Sequence, residues 1–359
     1  MSEPKENLRI LELYSGIGGM HYAAKLAELP YEVVLSLDIN TSANTIYRFN
    51  FPGTNQQSRN IESLSIKEVR KLKPDVIMMS PPCQPFTRVG NKLDVKDPRC
   101  SSFLHLVEIL PHLESVSYIL MENVVGFESS EMRKLFLESL KMGKFFFREF
   151  LLTPESLGIP NSRTRYYLLA RKSGDFSLGS TTEIITEIPN CNCDSQLETH
   201  YCTKCNNLRL APSRKPERAI LQSYLENTIE DDIEDYLLAE KTLSKYGQIL
   251  DIRQMSDNSS CCFTKAYSHY AEGTGSVLQH NSSESLDKQF SKFKEDSDIS
   301  HLKILQLRYF TPCEVANLMG FPPDFKFPDG ISNRTKYRVL GNSLNIVVVS
   351  NLFRLLTST

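Results

Sequence analysis

Cys83 is the first residue whose type and setting could do chemistry. It lies in residues 81–86, Pro-Pro-Cys-Gln-Pro-Phe, directly after an apolar run at 76–79 that predicts a buried parallel strand. Loops that follow such strands are where open α/β sheets bind their ligands. Proline restricts its own backbone and that of the residue before it, so Pro82 and Pro85 stiffen the loop. A thiolate here could act as a nucleophile, and the alternative is a small buried hydrophobe.

Three charged side chains could assist such a nucleophile. Glu122 follows a predicted strand at 118–121, and Arg163 and Arg165 precede a predicted strand at 166–170. A carboxyl group that burial or a like charge keeps protonated could donate to a ring nitrogen. The arginines could favour the thiolate or hold a substrate phosphate. The alternatives are a structural carboxylate and plain surface salt bridges.

A glycine-rich turn near the start of the chain predicts a nucleoside site. Residues 15–19, Ser-Gly-Ile-Gly-Gly, lie between a predicted strand at 8–14 and a predicted helix at 20–29, and a second strand at 32–37 ends at Asp38. In such βαβ units the glycines let the backbone approach the ligand and the acid binds the ribose hydroxyls. His21 replaces the third glycine of the dinucleotide pattern, which favours a ligand without phosphates, such as S-adenosylmethionine. The alternative is a tight turn with a solvent-facing aspartate.

The elements that must position these residues alternate in type. Helical patterns at 65–72, 101–113 and 130–142 alternate with strand patterns at 75–80, 118–121, 144–152 and 166–170. Repeated strand–helix units predict a doubly wound, mostly parallel α/β sheet of the Rossmann-like type. Because the carboxyl ends of parallel strands share one edge, we expect Asp38, Cys83 and Glu122 to lie along it.

The character of the chain changes after about residue 173. Polar stretches and an acidic run at 230–235 predict a loop-rich insert, and helical patterns follow at 302–307 and 312–319. The apolar ending from residue 339 is expected to pack back on the sheet. We therefore predict a main domain in residues 1–180, a smaller insert in 181–300 and a return to the main domain in 301–359.

Composition excludes several classes of protein. The chain has 359 residues, 40% of them hydrophobic, which is enough for a sizeable core. Its net charge of −2 excludes a broad basic coat, so any contact with a polynucleotide must be local. No apolar run approaches the roughly 20 residues of a membrane helix. Nine cysteines without a secretory signal indicate a reducing compartment, so we expect a location in the cytoplasm, with the nucleus as a second location. We also expect the protein to be a monomer.

Taken together, the motifs resemble those of the cytosine carbon-5 methyltransferase family. Tyr-Ser-Gly-Ile-Gly-Gly at 14–19, Pro-Pro-Cys-Gln at 81–84, Glu-Asn-Val at 122–124, Arg-Thr-Arg at 163–165 and Gly-Asn-Ser at 341–343 occur in the family's order. Ser-Leu-Gly-Ile-Pro-Asn-Ser at 156–162 and Cys-Phe-Thr at 262–264 are most similar to the tRNA-directed branch once classed as type-two DNA methyltransferases. That branch methylates a cytosine in the anticodon loop of aspartate tRNA, at tRNA position 38.

The resemblance implies a role for each matching residue. Cys83 would be the nucleophile that adds to carbon-6 of cytosine, Glu122 would contact the flipped base, and Arg163 and Arg165 would support the site. The cofactor would be S-adenosylmethionine, leaving as S-adenosylhomocysteine. The cofactor-binding residues would be Ser15, Gly16, Ile17, Gly18, Gly19, Asp38, Ile39, Ile61, Glu62, Ser80, Asn342 and Ser343. Residues 1–180 would be catalytic and 181–300 would recognise the target, which is tRNA or, alternatively, DNA. A rival from another class is a catalytically silent protein that binds cofactor and nucleic acid.

Some residues depart from the family's pattern or fall outside it. Asn60 stands where many relatives carry an acid, and Asn161 where many DNA enzymes carry glutamine. Two basic clusters could meet phosphates or be solvated faces: Arg88, Lys92, Lys96 and Arg99, and Lys204, Arg209, Arg214, Lys215 and Arg218.

The remaining cysteines are ambiguous. Four of them, with His200 nearby, could hold a structural zinc, but we predict reduced thiols and no metal site: Cys191, Cys193, Cys202 and Cys205. For Cys261 and Cys262 we predict packing or target positioning rather than catalysis.

Overall fold

A computed structural model describes residues 7–82, 100–176, 183–188, 217–226 and 233–358. The chain divides into two compact units. The first, here the sheet unit, comprises Met1–Leu152, Thr164–Arg214 and Ile346–Thr359. The second unit comprises Thr153–Arg163 and Lys215–Asn345. Cys83, the four cysteines considered for zinc, and every member of the two basic clusters except Arg218 lie outside the described residues.

The sheet unit is built on seven strands. They are β1 Leu8–Leu13, β2 Tyr31–Asp38, β3 Gln56–Ser58, β4 Val76–Met79, β5 Tyr118–Val124, β6 Phe146–Leu152 and β7 Arg165–Arg171. Their order is β3-β2-β1-β4-β5-β7-β6, and β7 alone runs in the direction opposite to that of the other six strands. The helices between them are α1 Gly19–Leu26, α2 Thr41–Asn50, α3 Ile66–Leu72, α4 Ser101–Ile109 and α5 Glu131–Met142. The predicted doubly wound, mostly parallel sheet is confirmed.

The local sequence explains these elements. All four residues of β4 are buried, as expected for a parallel strand covered on both faces. Ser65, Ser130 and Asn40 cap α3, α5 and α2, because each side chain accepts a hydrogen bond from a backbone N–H of the first helical turn. Helix α2 and strand β3 were not predicted. The helices and strands that were predicted for this unit are present, with ends shifted by a few residues.

The strand register brings one set of residues to a common level. Leu13 lies beside Leu37 of β2 and Met79 of β4, and Met79 lies beside Met121 of β5. One residue further on along these parallel strands come Asp38, Tyr14, Ser80 and Glu122, a level that we call the carboxyl edge. The prediction that Asp38 and Glu122 share an edge is therefore confirmed, although Glu122 lies within β5 rather than after it.

The second unit has a small sheet of its own. Strands β8 Ile252–Arg253, β9 Val277–Gln279 and β10 Leu307–Tyr309 form it, with β9 in the centre. Its helices are α6 Glu240–Tyr246, α7 Leu286–Asp296, α8 Ser300–Lys303, α9 Pro312–Leu318 and α10 Asn333–Gly341. Its core contains Leu238, Leu243, Val277, Leu302, Leu305 and Leu307. The prediction of a helix over 302–307 was wrong beyond Lys303, because Leu307 pairs with Gln279 in the sheet.

The boundaries of the units differ from those predicted from composition. Residues 301–345 belong to the second unit, because Leu302 and Leu307 complete its core and the Tyr337 hydroxyl donates to the carbonyl of Phe310. The final helix, α11 Ile346–Thr357, belongs to the sheet unit, where Arg354 donates to the carbonyls of Leu26 and Ala27 at the end of α1. The assignment of target recognition to residues 181–300 stays a prediction.

The span that contains α10 and α11 is longer and more apolar than any run recognised in the sequence analysis. Within the part of the chain that the structure describes, Asn333–Thr357 alone is long and apolar enough to cross a membrane. However, 72% of its most apolar window is buried inside the protein, so core packing accounts for its composition.

Candidate functional site at the carboxyl edge

The glycine-rich turn contains two glycines with different tasks. Gly16 has φ +53°, and a Cβ placed there would meet no atom within 4 Å. Gly18 has φ +89°, and its Cβ would lie 2.8 Å from the ring of Phe51 and 3.2 Å from the ring of Tyr47. The expected approach of backbone to ligand therefore fits Gly16, whose surroundings are open. Gly18 is needed because the aromatic rings of α2 and the residue after it pack against the turn.

Asp38 fixes the turn at the carboxyl edge. One carboxylate oxygen accepts from the backbone N–H of Gly16 at 2.8 Å, and the other accepts from that of Asn40 at 2.7 Å. Burial raises the pKa of Asp38, and these two hydrogen bonds oppose that rise. Each carboxylate oxygen has a further lone pair, so the same side chain can also accept from a ribose hydroxyl. Next to it, the Ile39 side chain is 72% exposed and offers an apolar surface.

The other predicted cofactor residues of this unit differ in accessibility. Ser80 is half-buried at the end of β4, and Glu62 is exposed and accepts from the Ser101 hydroxyl at 2.5 Å. Ser15, Ile17, Gly18, Gly19 and Ile61 are buried. The Asn60 side chain accepts from the N–H of Glu62 and so caps the short turn Ile61–Ser63. An acid at position 60 could cap the same turn, so this departure leaves the local fold intact.

These residues fit S-adenosylmethionine, the cofactor that the resemblance implies. The open face at Gly16, the carboxylate of Asp38 and the exposed Ile39 suit the backbone, ribose and adenine contacts of a nucleoside ligand. Among the described residues assigned to the cofactor there is no lysine or arginine that could bind a pyrophosphate. A nucleoside sulfonium without phosphates suits such a site.

A buried network behind the turn was missed in the sequence analysis. The Tyr47 hydroxyl donates to Glu12 at 2.6 Å, the backbone N–H of His21 donates to the same carboxylate, and the His21 ring lies 2.8 Å from the Tyr47 oxygen. Burial raises the pKa of Glu12 to about 8 and lowers that of His21 to about 3. His21 also stacks on Phe51, with ring centroids 3.7 Å apart. The residue that replaces the third glycine is therefore part of the core.

Glu122 and Arg165 meet on neighbouring strands. The Nε atom of Arg165 lies 3.6 Å from Oε1 of Glu122, and both side chains are largely buried. The next residue, Asn123, donates to the carbonyl of Pro81 at 3.3 Å. The Glu-Asn-Val motif thus holds the first residue of the Pro-Pro-Cys motif, while Cys83 itself lies outside the described residues. Arg165 therefore contacts Glu122 directly, and its role as a supporting residue stays a prediction.

Arg163 has a different environment from Arg165. It belongs to the second unit and is 3% exposed. Its guanidinium donates to the sulfur of Cys262 at 3.3 Å and to the carbonyls of Phe263, Gly341 and Ser343. The suggested contact with a substrate phosphate is incompatible with this burial. Arg163 instead joins two distant segments of the chain.

Three motif segments of the second unit meet around Arg163, and we call residues 160–163, 260–264 and 341–343 the motif cluster. Asn161 donates to the Ser260 hydroxyl at 3.1 Å and to the carbonyl of Cys261 at 3.0 Å. A Cβ at Gly341 would lie 2.2 Å from the backbone nitrogen of Lys265, so only glycine allows this approach of the two backbones. The sequence identified each segment but gave no signal that they meet. Asn342 is exposed and Ser343 half-buried in this cluster, and their contact with cofactor stays a prediction.

Two further predictions can be placed. Arg218, the described member of its basic cluster, forms an ion pair with Glu155 at 3.0 Å, and whether it contacts a phosphate stays a prediction. Among the described residues no group of three His, Cys, Asp or Glu side chains could hold a metal ion. Cys261 is exposed and Cys262 half-buried, with its sulfur against Arg163.

Known proteins resemble the chain over nearly its whole length. The family model described as C-5 cytosine-specific DNA methylase matches residues 8–358. A Homo sapiens protein named tRNA (cytosine(38)-C(5))-methyltransferase is 41% identical, over 98% of this chain and 99% of the relative. A Dictyostelium discoideum protein named DNA (cytosine-5)-methyltransferase is 36% identical, over 98% of this chain and 95% of the relative. The crystal structure of a DNMT2 mutant from Spodoptera frugiperda matches with a TM-score of 0.83 at 43% identity, covering 97% of this chain and 99% of that one. The fold, the carboxyl edge and these similarities agree, and the chain belongs to the C-5 cytosine methyltransferase family.

Proposed function

We propose that this protein methylates carbon-5 of a cytosine in the anticodon loop of tRNA, at position 38 of aspartate tRNA, with S-adenosylmethionine as methyl donor. The observation that carries the chemistry is the carboxyl edge, where Asp38 and Glu122 lie at one level and Asn123 holds Pro81. The choice of tRNA is supported by the name of the human relative, which is similar over 98% of this chain.

The reaction needs covalent activation because carbon-5 of cytosine is a poor nucleophile. The Cys83 thiolate adds to carbon-6, which forms a carbon–sulfur bond and leaves electron density at carbon-5. Bound S-adenosylmethionine supplies an electrophilic methyl group to that carbon. A base then removes the carbon-5 proton, the bond to Cys83 breaks, and the aromatic ring is restored.

The described residues have defined tasks in this scheme. Asp38 and Gly16 hold the nucleoside of the cofactor at the end of β2 and in the turn after β1. Glu122 faces the cytosine ring at nitrogen-3, and Arg165 fixes its orientation through the 3.6 Å contact. The hydrogen bond from Asn123 to Pro81 fixes the start of the segment that carries Cys83. Because these contacts hold the reacting groups in position, the reaction occurs within one complex and does not depend on a further encounter between separate molecules.

The substrate is expected to be an RNA loop rather than a duplex. A cytosine in a loop is largely unpaired, so rotating it out costs less than extracting it from stacked base pairs. DNA methylation is the second candidate, because the Dictyostelium discoideum relative carries that name at 36% identity.

We further propose that the protein is a monomer of the cytoplasm and nucleus that has no contact with membranes.

The test is transfer of labelled methyl groups from S-adenosylmethionine to total tRNA and to duplex DNA in parallel, at matched salt. We expect label in tRNA, and its loss when cytosine 38 of aspartate tRNA is replaced by uracil. Label in DNA alone would keep the chemistry but overturn the proposed substrate. Label in neither, with cofactor demonstrably bound, would favour a silent binding protein. Cys83→Ala should abolish transfer and leave cofactor binding intact.

A further inference from the structure

Residues 264–270 of the second unit lie along helix α10. At its C-terminal end, the backbone of Thr264 and Lys265 contacts Gly341. Further along, the ring of Tyr267 meets that of Tyr337 with centroids 5.1 Å apart. At the N-terminal end, the His269 ring lies 3.5 Å from the guanidinium of Arg334. This segment, which we call the strap, therefore runs antiparallel to α10 and begins at the motif cluster.

Buried groups fix the conformation of the strap. The Tyr267 hydroxyl donates to the carbonyl of Ser276 at 2.6 Å and accepts from the N–H of Phe310 at 2.9 Å. Gly275 has φ +152°, and a Cβ there would lie 2.7 Å from the rings of Phe263 and Tyr267. These contacts hold the backbone in one conformation. Side chains that the strap exposes therefore start from a defined position, which lowers the entropy lost when they bind a partner.

The exposed side of the strap and α10 is aromatic and basic. The Tyr270 side chain is 62% exposed and lies edge-to-face with His269 at 4.6 Å. The exposed cations are Lys265, Arg334 and Arg338. Residues 264–271 and 331–345 contain no aspartate or glutamate, and the acids that flank them in sequence are Glu272 and Asp329. On a chain whose net charge is −2, these two segments carry an excess of positive charge, and we name their exposed residues Lys265, His269, Tyr270, Arg334 and Arg338 the strap surface.

Its composition matches one class of partner. Unpaired RNA bases are bound by stacking on aromatic side chains, and every base offers a face for this. Phosphates between the bases are bound by lysine and arginine. A protein partner would also use tyrosine and arginine, but it would need a buried apolar centre. Apart from Tyr270, the named exposed side chains of this surface are charged or polar.

We propose that the strap surface binds the single-stranded RNA of the substrate loop, with Tyr270 stacking on a base and Arg334 and Arg338 contacting phosphates. The proposal rests on the proposed function, because it names how a tRNA loop would be held beside the motif cluster. Neither basic cluster noted in the sequence includes these residues. The signal in sequence was an aromatic residue near cations, spread over two segments more than 60 positions apart.

The test measures binding of an unmodified aspartate tRNA transcript to the full-length protein over a range of salt concentrations. Stacking of one base predicts that Tyr270→Ala weakens binding by about tenfold, whereas Tyr270→Phe keeps the affinity. The double variant Arg334→Glu/Arg338→Glu should weaken binding at least as much and reduce the slope of log affinity against log salt by about 1.4, or about 0.7 for each lost phosphate contact. Lys288→Glu/Lys294→Glu, an equal double charge reversal at two exposed residues of α7, is the matched control and should bind as the parent does.

Folding and activity are controlled separately. Each variant should keep the melting temperature and S-adenosylmethionine affinity of the parent. If Tyr270→Ala and Arg334→Glu/Arg338→Glu bind tRNA as tightly as the control Lys288→Glu/Lys294→Glu does, the proposal is overturned. If the parent binds tRNA through this surface but transfers methyl groups only to duplex DNA, the proposed function fails while the strap surface stands. If the parent does not bind tRNA, both fail.

Discussion

The carboxyl edge and the motif cluster carry motifs of the same family but are built by different means. At the carboxyl edge, Asp38 and Glu122 stand at one level because parallel strands impose it. In the motif cluster, Arg163 joins residues 262–263 to 341–343 by hydrogen bonds across about half the chain. The edge holds the groups that we propose contact ligands, and Arg163 of the cluster contacts other parts of the protein. Family motifs thus include both chemistry and positioning.

The largest expected effect lies at the carboxyl edge. Glu122→Gln keeps the shape of the side chain but removes its charge. If Glu122 exchanges a proton with the cytosine ring, the rate of methyl transfer should fall by roughly 10²–10⁴-fold. Cofactor affinity and melting temperature should stay unchanged, because Asp38 and Gly16 are untouched. Single-turnover rates with tRNA measure the effect. If Glu122→Gln unfolds instead, Glu122 has a structural role of the kind that we assign to Arg163.

In the motif cluster, loss of Arg163 should act first on stability. Arg163→Met removes the donors to three main-chain carbonyls and leaves them in a buried place, at a cost of about 1–3 kcal/mol for each unsatisfied group. Urea unfolding of the full chain should show this loss before any effect on the chemical step. Arg165→Met is the contrasting variant, because Arg165 contacts Glu122 and its loss should lower the rate of methyl transfer. An activity loss in Arg163→Met at full stability would contradict a positioning role.

Two glycines provide a paired test of the same contrast. Gly341→Ala places a Cβ 2.2 Å from a backbone nitrogen, so we expect destabilisation of about 1–3 kcal/mol or more. Gly16→Ala meets no atom, and its φ of +53° should cost only about 1–2 kcal/mol. Its main effect should be on S-adenosylmethionine affinity. Equal losses of stability with no change in cofactor binding would remove the distinction between the two sites.

The most gradual expected effect is the pH dependence of stability. Burial raises the folded-state pKa of Glu12 to about 8, so the folded protein binds a proton that the unfolded chain releases above its ordinary pKa. The free energy of unfolding should therefore fall as pH rises through the window up to about 8. Glu12→Gln should flatten this part of the curve. An unchanged slope in urea unfolding would show that Glu12 is ionised in the fold.

The sequence was most informative where local pattern and topology coincide. The apolar runs of β1, β4 and β5 predicted a parallel sheet, and the sheet alone places Asp38 and Glu122 at one level of its carboxyl edge. It was least informative where long-range contacts decide. Leu307 belongs to a strand because it pairs with Gln279. The second unit extends to Asn345 because of contacts such as that of Tyr337 with Phe310. The partners of Arg163 lie about 100 and 180 residues away, beyond any local pattern.

The most direct test of the account is to trap the covalent intermediate. Aspartate tRNA with 5-fluorocytosine at position 38 has no proton at carbon-5, so after methyl transfer the bond to Cys83 cannot be released by proton loss. We predict a denaturation-resistant protein–RNA adduct that requires S-adenosylmethionine, is absent with Cys83→Ala, and maps to Cys83 by mass spectrometry. An adduct at another cysteine, or methylation of ordinary tRNA by Cys83→Ala, would contradict the account.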